Sequence, residues 1–267
     1  MPLTVHALAS GSSGNAILIQ SGEGSLLIDA GVAGRTLAAW LASRRATPFH
    51  GILLTHEHDD HLRGADSISR RFQAPVVSTR GTLEAASARR ELPRAAELEA
   101  GGETALGPFR VRSFPVPHDA ADPVGYVVEA DGVRIVCATD LGCPTAPVRH
   151  ALRGAHLCIL ESNHDEEWLR LGPYPALMKA RVAGDRGHLS NRCAAEMIVQ
   201  RLEEDGPATF WLAHLSAVNN SPSLARRHAE ATVAAATRVP AQIGVALRDR
   251  PSLVWTPGAS AVQPRLF

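Results

Sequence analysis

The segment Gly51-Ile52-Leu53-Leu54-Thr55-His56-Glu57-His58-Asp59-Asp60-His61 constrains this chain more than any other part of it. A short apolar run bounded by turn-like residues predicts a buried strand, here residues 51–55. Three histidines and two aspartates follow within the six residues from His56 to His61. If the chain stays extended for two further residues, His56 and His58 project from one face, because strand side chains repeat every second residue. Asp60 and His61 then fall where the strand gives way to a predicted helix over 62–72. Imidazole suits zinc, iron and manganese, and carboxylate suits harder ions, so such a cluster at a strand end predicts a metal site. The alternative is a polar loop that happens to be rich in histidine.

One loop cannot fill two metal sites, so partners are expected at other strand ends. His118 follows the apolar strand 109–116, Asp140 follows the strand 133–139, and His214 follows Thr209-Phe210-Trp211-Leu212-Ala213. Each repeats the arrangement at His56: an apolar strand, then a ligand-type side chain where it ends. Ligands at the ends of several strands converge on one edge of a sheet. The histidines at 6, 50, 150, 156 and 228 have no such context and are expected to pack or to face solvent.

The rest of the chain supplies the frame. Strands are expected over 5–8, 16–20, 25–29, 75–79, 124–130 and 156–160, and helices over 36–43, 147–152, 191–203 and 222–237. Ser21-Gly22-Glu23-Gly24 and Asp131-Gly132 read as hairpin turns. The Ala-, Arg- and Glu-rich stretch 83–100 reads as a helix interrupted by Pro93, and the residues between 160 and 191 read as loop. Two strands close the chain. No linker composition separates the halves, so one α/β domain over 1–257 is expected, made of two similar halves, with a loose tail over 258–267.

Composition excludes some classes. With 45% hydrophobic and 20% charged residues the chain can bury a sizeable core. A formal net charge of zero gives no global field to draw in nucleic acid. Cys137, Cys143, Cys158 and Cys193 have no Cys-x-x-Cys or disulfide-framework spacing, which suits a reduced, cytoplasmic protein. The N-terminus carries no signal-peptide pattern, and no apolar stretch is long enough to cross a bilayer, so no membrane partner is expected.

Taken together, His56-x-His58-x-Asp60-His61, His118, Asp140 and His214 resemble the signature of the metallo-β-lactamase-fold hydrolases. Asp29, in Leu27-Ile28-Asp29-Ala30-Gly31, matches the early aspartate of that superfamily, which supports the ligand loop from behind. The resemblance implies a four-layer αββα sandwich with a metal site at one edge. It implies two divalent ions, zinc or manganese with iron as a further option. One would be held by His56, His58 and His118, the other by Asp60, His61 and His214, with Asp140 between them. Such a pair shares an activating hydroxide, so Asp60 counts among the catalytic residues and no protein nucleophile is required.

Four further stretches resemble the small bacterial YycJ/WalJ-type proteins: Leu8–Asn15 in Leu-Ala-Ser-Gly-Ser-Ser-Gly-Asn, Glu161-Ser162-Asn163-His164-Asp165, Gly187-His188-Leu189-Ser190-Asn191, and the run from Leu215 to Pro222. Asp140 at the bridging position, where the commonest β-lactamases place cysteine, agrees. This resemblance implies a metal-dependent phosphodiesterase, a 5′-to-3′ DNA exonuclease with nucleic acid as its substrate partner. The alternatives are hydrolysis of small esters, thioesters or lactones on the same site, or a non-catalytic metal-binding regulatory protein.

Individual residues keep two readings each. The loop holding Ser12 and Asn15 either turns its amides to a ligand or is a plain turn. Ser221-Pro222 caps a helix beginning near His214, and Asn219 and Asn220 beside it are candidate phosphate donors. His188 either assists the leaving group or bonds its own loop; His164 has the same two readings. Arg186 is one arginine among many that could meet a phosphate. Without an inserted domain to grip a long polymer, a homodimer groove is a further expectation.

Overall fold

Strand residues in this chain are apolar on both faces, and that dictates layers on both sides of each sheet. The computed structural model describes residues 2–258, so all but the first residue of the expected tail lies outside the described residues. One seven-stranded sheet contains β1 (Thr4–Ala9), β2 (Ala16–Ser21), β3 (Gly24–Ile28), β4 (Phe49–Leu53), β5 (Val76–Ser78), β6 (Ala95–Glu97) and β14 (Leu253–Trp255), in the order β14-β1-β2-β3-β4-β5-β6. The other contains β7 (Glu103–Leu106), β8 (Phe109–Pro115), β9 (Val124–Ala130), β10 (Val133–Ala138), β11 (Leu157–Glu161), β12 (Ala208–Ala213) and β13 (Ala241–Val245), in the order β13-β12-β11-β10-β9-β8-β7. Asp131 and Gly132 turn the β9–β10 hairpin with both residues at positive φ, as its two-residue loop requires.

Alternate residues separate into different cores. Val5, Ala7, Ile17, Ile19, Leu26, Ile28, Val111, Tyr126, Val128, Ile135, Ile159 and Trp211 pack between the sheets. Leu8, Leu18, Leu27, Ile52 and Val76 face outward onto α1 (Gly34–Ser43), α3 (Ala65–Phe72) and α4 (Arg80–Ser87). On the second sheet Val127, Val136, Cys158, Leu160, Phe210 and Leu212 pack with α5 (Ala146–Leu152), α8 (Asn191–Asp205) and α9 (Pro222–Ala236). The result is the αββα sandwich.

The structure departs from expectation at four places. The helix expected over 62–72 is two pieces, α2 (Asp59–Leu62) and α3, broken at Arg63-Gly64. The stretch expected as interrupted helix over 83–100 ends its helix at Ser87 and continues into β6, whose residues are exposed and held by parallel backbone pairing with β5 and by the Arg80–Glu97 ion pair. A strand without a buried face leaves no alternation to read. Strand β7 on the far edge was missed for the same reason. The stretch between 160 and 191, expected to be rich in loop, contains two short helices, α6 (Glu166–Leu171) and α7 (Ala176–Val182).

Candidate metal centre

Several strands terminate at the same edge of the sandwich and deliver a polar side chain there. β3, β10 and β12 are each followed, immediately or one residue later, by a residue in the left-handed region: Asp29 (φ 58°), Asp140 (φ 56°) and His214 (φ 54°). Non-glycine residues adopt this conformation at a cost, and such strain concentrates at functional sites. β4 stops at Leu53, two residues short of the expected end, so a shared strand face does not align His56 with His58. A loop does so instead, and His58, itself extended at φ −64° and ψ 148°, starts α2, which carries Asp60 and His61.

All seven ligand-type residues come together. His56, His58 and His118 offer ligand atoms within 4.8 Å of one another, and so do Asp60, His61 and His214. Asp140 stands beside both sets: Oδ2 is 3.1 Å from His61 Nε2, and Oδ1 is 3.3 Å from His214 Nδ1 and 3.7 Å from His118 Nε2. The centre is buried except at His58 and Asp60, the latter with 20% of its side chain exposed.

Each of four imidazoles is held from behind through one nitrogen. His61 Nδ1 donates to Asp29 Oδ2 (2.8 Å), and Asp29 also accepts from the Thr55 amide and hydroxyl. His56 Nδ1 lies 3.0 Å from Thr55 Oγ1. His118 Nδ1 donates to the Gly187 carbonyl (3.1 Å), and His214 Nδ1 to Glu161 Oε1 (2.9 Å). That fixes each ring's orientation and points its other nitrogen into the shared space, the arrangement found behind metal-ligating histidines.

Two residues that sequence reasoning missed complete the frame. Glu161 is fully buried at the end of β11 and accepts four hydrogen bonds: from His188 Nδ1 (2.8 Å), His214 Nδ1 (2.9 Å) and the amides of Leu141 (2.8 Å) and Leu189 (3.2 Å). The rule that found Asp140 and His214, an apolar strand ending in a ligand-type side chain, would have found it too. Glu57 accepts from the Ala121 amide at 3.0 Å and so ties the ligand loop to the segment after His118.

The other candidates fall into distinct roles. His188 is bound through Nδ1 to Glu161, its ring centre 5.2–5.3 Å from those of His118 and His214, with 17% of its side chain exposed. Asn15 is part of the centre, its Nδ2 3.0 Å from His61 Nε2 and 3.2 Å from the Asp60 carbonyl. Ser12 is exposed at the loop tip. Asn220 is committed internally, its Nδ2 donating to the carbonyls of Ser162 and Asn163 and to Asn191 Oδ1. Asn219 has no exposed surface, and His164 is buried, so none of these three offers a donor at the protein surface. Arg186 is occupied by the His118 carbonyl, at 2.9 and 3.1 Å.

The donor chemistry fits divalent metal. Four carboxylates, Asp29, Asp60, Asp140 and Glu161, sit among six imidazoles, and the buried Asp140 Oδ2 accepts no hydrogen bond. Burial would lower His61 and His214, but the surrounding carboxylates reverse this, holding His61 well above the ordinary histidine range and His214 up at about 10. His56 shows the opposite: burial, then the neighbouring His61 charge, holds it well below the usual value, a neutral lone-pair donor. Burial would raise Glu161, yet His188 and the two histidine hydrogen bonds bring it down to about 2. A cation in this centre, displacing the protons of His61 and His214, would meet the Asp140 carboxylate and the converging ring nitrogens together.

Comparison with known proteins agrees. Residues 25–215 match the family model described as a β-lactamase superfamily domain. The chain is 35% identical over 231 residues to exodeoxyribonuclease YycJ of Bacillus anthracis, covering 85% of this chain and 87% of that one. The chain belongs to the YycJ/WalJ family of the metallo-β-lactamase superfamily. Another member, exodeoxyribonuclease WalJ of Streptococcus pneumoniae, is 33% identical over 225 residues, 82% of this chain and 83% of that one. The metallo-β-lactamase fold protein YhfI of Bacillus subtilis superposes over 96% of this chain and 100% of its own with a TM-score of 0.71 at 17% identity, a likeness of fold. As a superfamily member with this donor set, the protein is a metal-dependent hydrolase. No described helix is long and apolar enough to cross a membrane.

Proposed function

We propose that the protein is a dinuclear phosphodiesterase that degrades DNA from a 5′ end. The observation that carries this reading is a complete set of converging donors in a chain 35% identical, over most of its length, to an exodeoxyribonuclease. His56, His58 and His118 would hold one ion, Asp60, His61 and His214 the other, with Asp140 facing both. Two such ions supply Lewis-acid charge for the phosphoryl oxygens and ionise water near neutral pH, and zinc and manganese both suit these donors.

The protein's own residues do the remaining work. Glu161 orients His188 through Nδ1, which leaves Nε2 to hold a proton at the partly exposed wall of the centre. A proton held there meets the leaving oxygen of a cleaved ester. Glu161 fixes His214 with the same oxygen, so one carboxylate sets both the metal donor and the proton donor. Free cysteines at 137, 143, 158 and 193 support a cytoplasmic location.

A substrate panel tests the reading. Metal-loaded protein is offered bis(p-nitrophenyl) phosphate, a short DNA duplex, an aryl thioester and a lactone. Turnover confined to the phosphodiesters supports it. Turnover of the thioester or lactone alone transfers the site to small-ester hydrolysis.

A further inference from the structure

The loop between β1 and β2 is fastened to the metal centre at both ends. The Ser10 hydroxyl accepts from the His214 amide (2.9 Å), and Asn15 contacts Asp60 and His61. Between them the Gly11 amide bonds Asn15 Oδ1 (2.8 Å) and the Gly14 amide bonds the Gly11 carbonyl (2.9 Å). The Ser12 and Ser13 amides have no acceptor among the described residues, and both side chains are exposed. The loop tip therefore leaves two amides and two hydroxyls free to donate, on a loop fastened at both ends to the ligands, and such free donors suit an anion.

The stem of an arginine packs against the same loop. Arg248, three residues after β13, lies against Gly11: a Cβ on Gly11 would stand 2.8 Å from Arg248 Cγ and 3.4 Å from the carbonyl of Leu215, the residue after His214. Glycine is required for that approach. Arg248 is half-buried, yet its buried Nε has no hydrogen-bond partner and no carboxylate pairs with it among the described residues. Arg63, the other arginine at this loop, is engaged by Asp59 and the Ser13 carbonyl. A half-buried cation without a counter-charge is unfavourable for the folded protein alone. A bound anion removes the penalty.

We propose that Arg248 and the Ser12-Ser13 loop tip form a phosphate clamp that holds a substrate phosphate flanking the scissile bond. The proposal rests on the phosphodiesterase reading and adds a positioning residue that the ligand motif does not contain. The clamped group is either a terminal 5′ phosphate or an internal phosphodiester; the chemistry of recognition is the same, through the fork of guanidinium donors and the two amides.

The test uses metal-loaded full-length protein, wild type beside Arg248→Gln and Arg248→Lys, on single-stranded oligonucleotides with a 5′ phosphate or a 5′ hydroxyl. Bis(p-nitrophenyl) phosphate, too small to reach a flanking clamp, is the control. Arg248→Gln raises KM for DNA roughly ten- to hundredfold, leaves kcat within about twofold, and leaves the small substrate unaffected. The log–log salt slope of KM falls by about 0.7, one single-strand phosphate contact. Arg248→Lys recovers part of the affinity. The melting temperature does not fall, whereas an arginine that merely held the loop would lower it. Loss confined to 5′-phosphorylated DNA assigns the clamp to the terminal phosphate, and equal loss on both ends assigns it to an internal one. Unchanged KM and salt slope, with DNA still cleaved, overturn the clamp alone. Absence of cleavage of DNA and of the small phosphodiester by wild type overturns the phosphodiesterase reading, and the clamp with it.

Discussion

Glu161 gives the most demanding test of how the centre is built, because one buried carboxylate satisfies four donors. In Glu161→Ala the Nδ1–H groups of His188 and His214 and the amides of Leu141 and Leu189 all lose their acceptor. A buried unsatisfied donor costs about 1–3 kcal/mol. Four at the low end give a loss of ~4 kcal/mol, a large share of the roughly 5–15 kcal/mol typical of a domain. Glu161→Gln is milder. Its oxygen still serves the two histidines, while its NH2 group faces the Leu141 and Leu189 amides donor to donor, so at the same low end ~2 kcal/mol is lost through two groups. Urea unfolding of metal-stripped protein, followed by circular dichroism, measures both. The carboxyl sits at about 2 in the folded protein against an ordinary 4.5. A depressed pKa contributes stability above the unfolded value and loses it below, so the gap between wild type and Glu161→Gln narrows as pH falls from about 4.5 toward 2. Losses under ~1 kcal/mol in both variants, or a gap indifferent to that acid range, would refute the reasoning.

Four further outcomes follow from the geometry. His58→Ala removes a ligand-type donor from the partly open side, and metal analysis with activity assays should show lower metal content and abolished turnover; full turnover contradicts it. His188→Ala should keep the metal content and lower kcat by about 10²–10⁴, while unchanged kinetics reduces His188 to scaffolding. Asp29→Asn weakens the acceptor behind His61, and metal affinity should drop about 10–100-fold, read by chelator competition. Metal loading should release protons, because His61 and His214 are held protonated near neutral pH and a ligand must be neutral. Apparent affinity therefore rises as pH increases toward about 10, and the calorimetric heat depends on the ionisation enthalpy of the buffer; a buffer-independent heat opposes this.

The centre was legible because its ligand-type residues announce themselves in one way: an apolar strand, then a histidine or aspartate. Asp140 and His214 were found so, and Glu161 could have been, but a lone glutamate lacks the rarity that draws attention to histidine. The convergence of His56 with His58 was right for a different reason than the one read, since β4 ends early and a loop aligns them. Asn219 and Asn220 show the opposite limit. Their position beside His214 suggested donors for a ligand, yet the fold turns the Asn220 amide inward onto the backbone of Ser162 and Asn163, and sequence adjacency carries no direction. The edge strands β6 and β7 escaped because neither buries a whole face, so they have no clear apolar alternation to display. Arg248 is remote in sequence from every ligand, and only the closing of the chain brings it onto Gly11.

The central claim is that this centre hydrolyses DNA from a 5′ end. It is tested most directly by incubating the metal-stripped protein, reloaded separately with manganese and zinc, with DNA labelled at either end, beside Asp60→Ala. The account predicts mononucleotides released progressively from the 5′ end by the wild type under at least one metal, and none by the variant. Intact DNA under both metals, with the centre shown to be loaded, would contradict it.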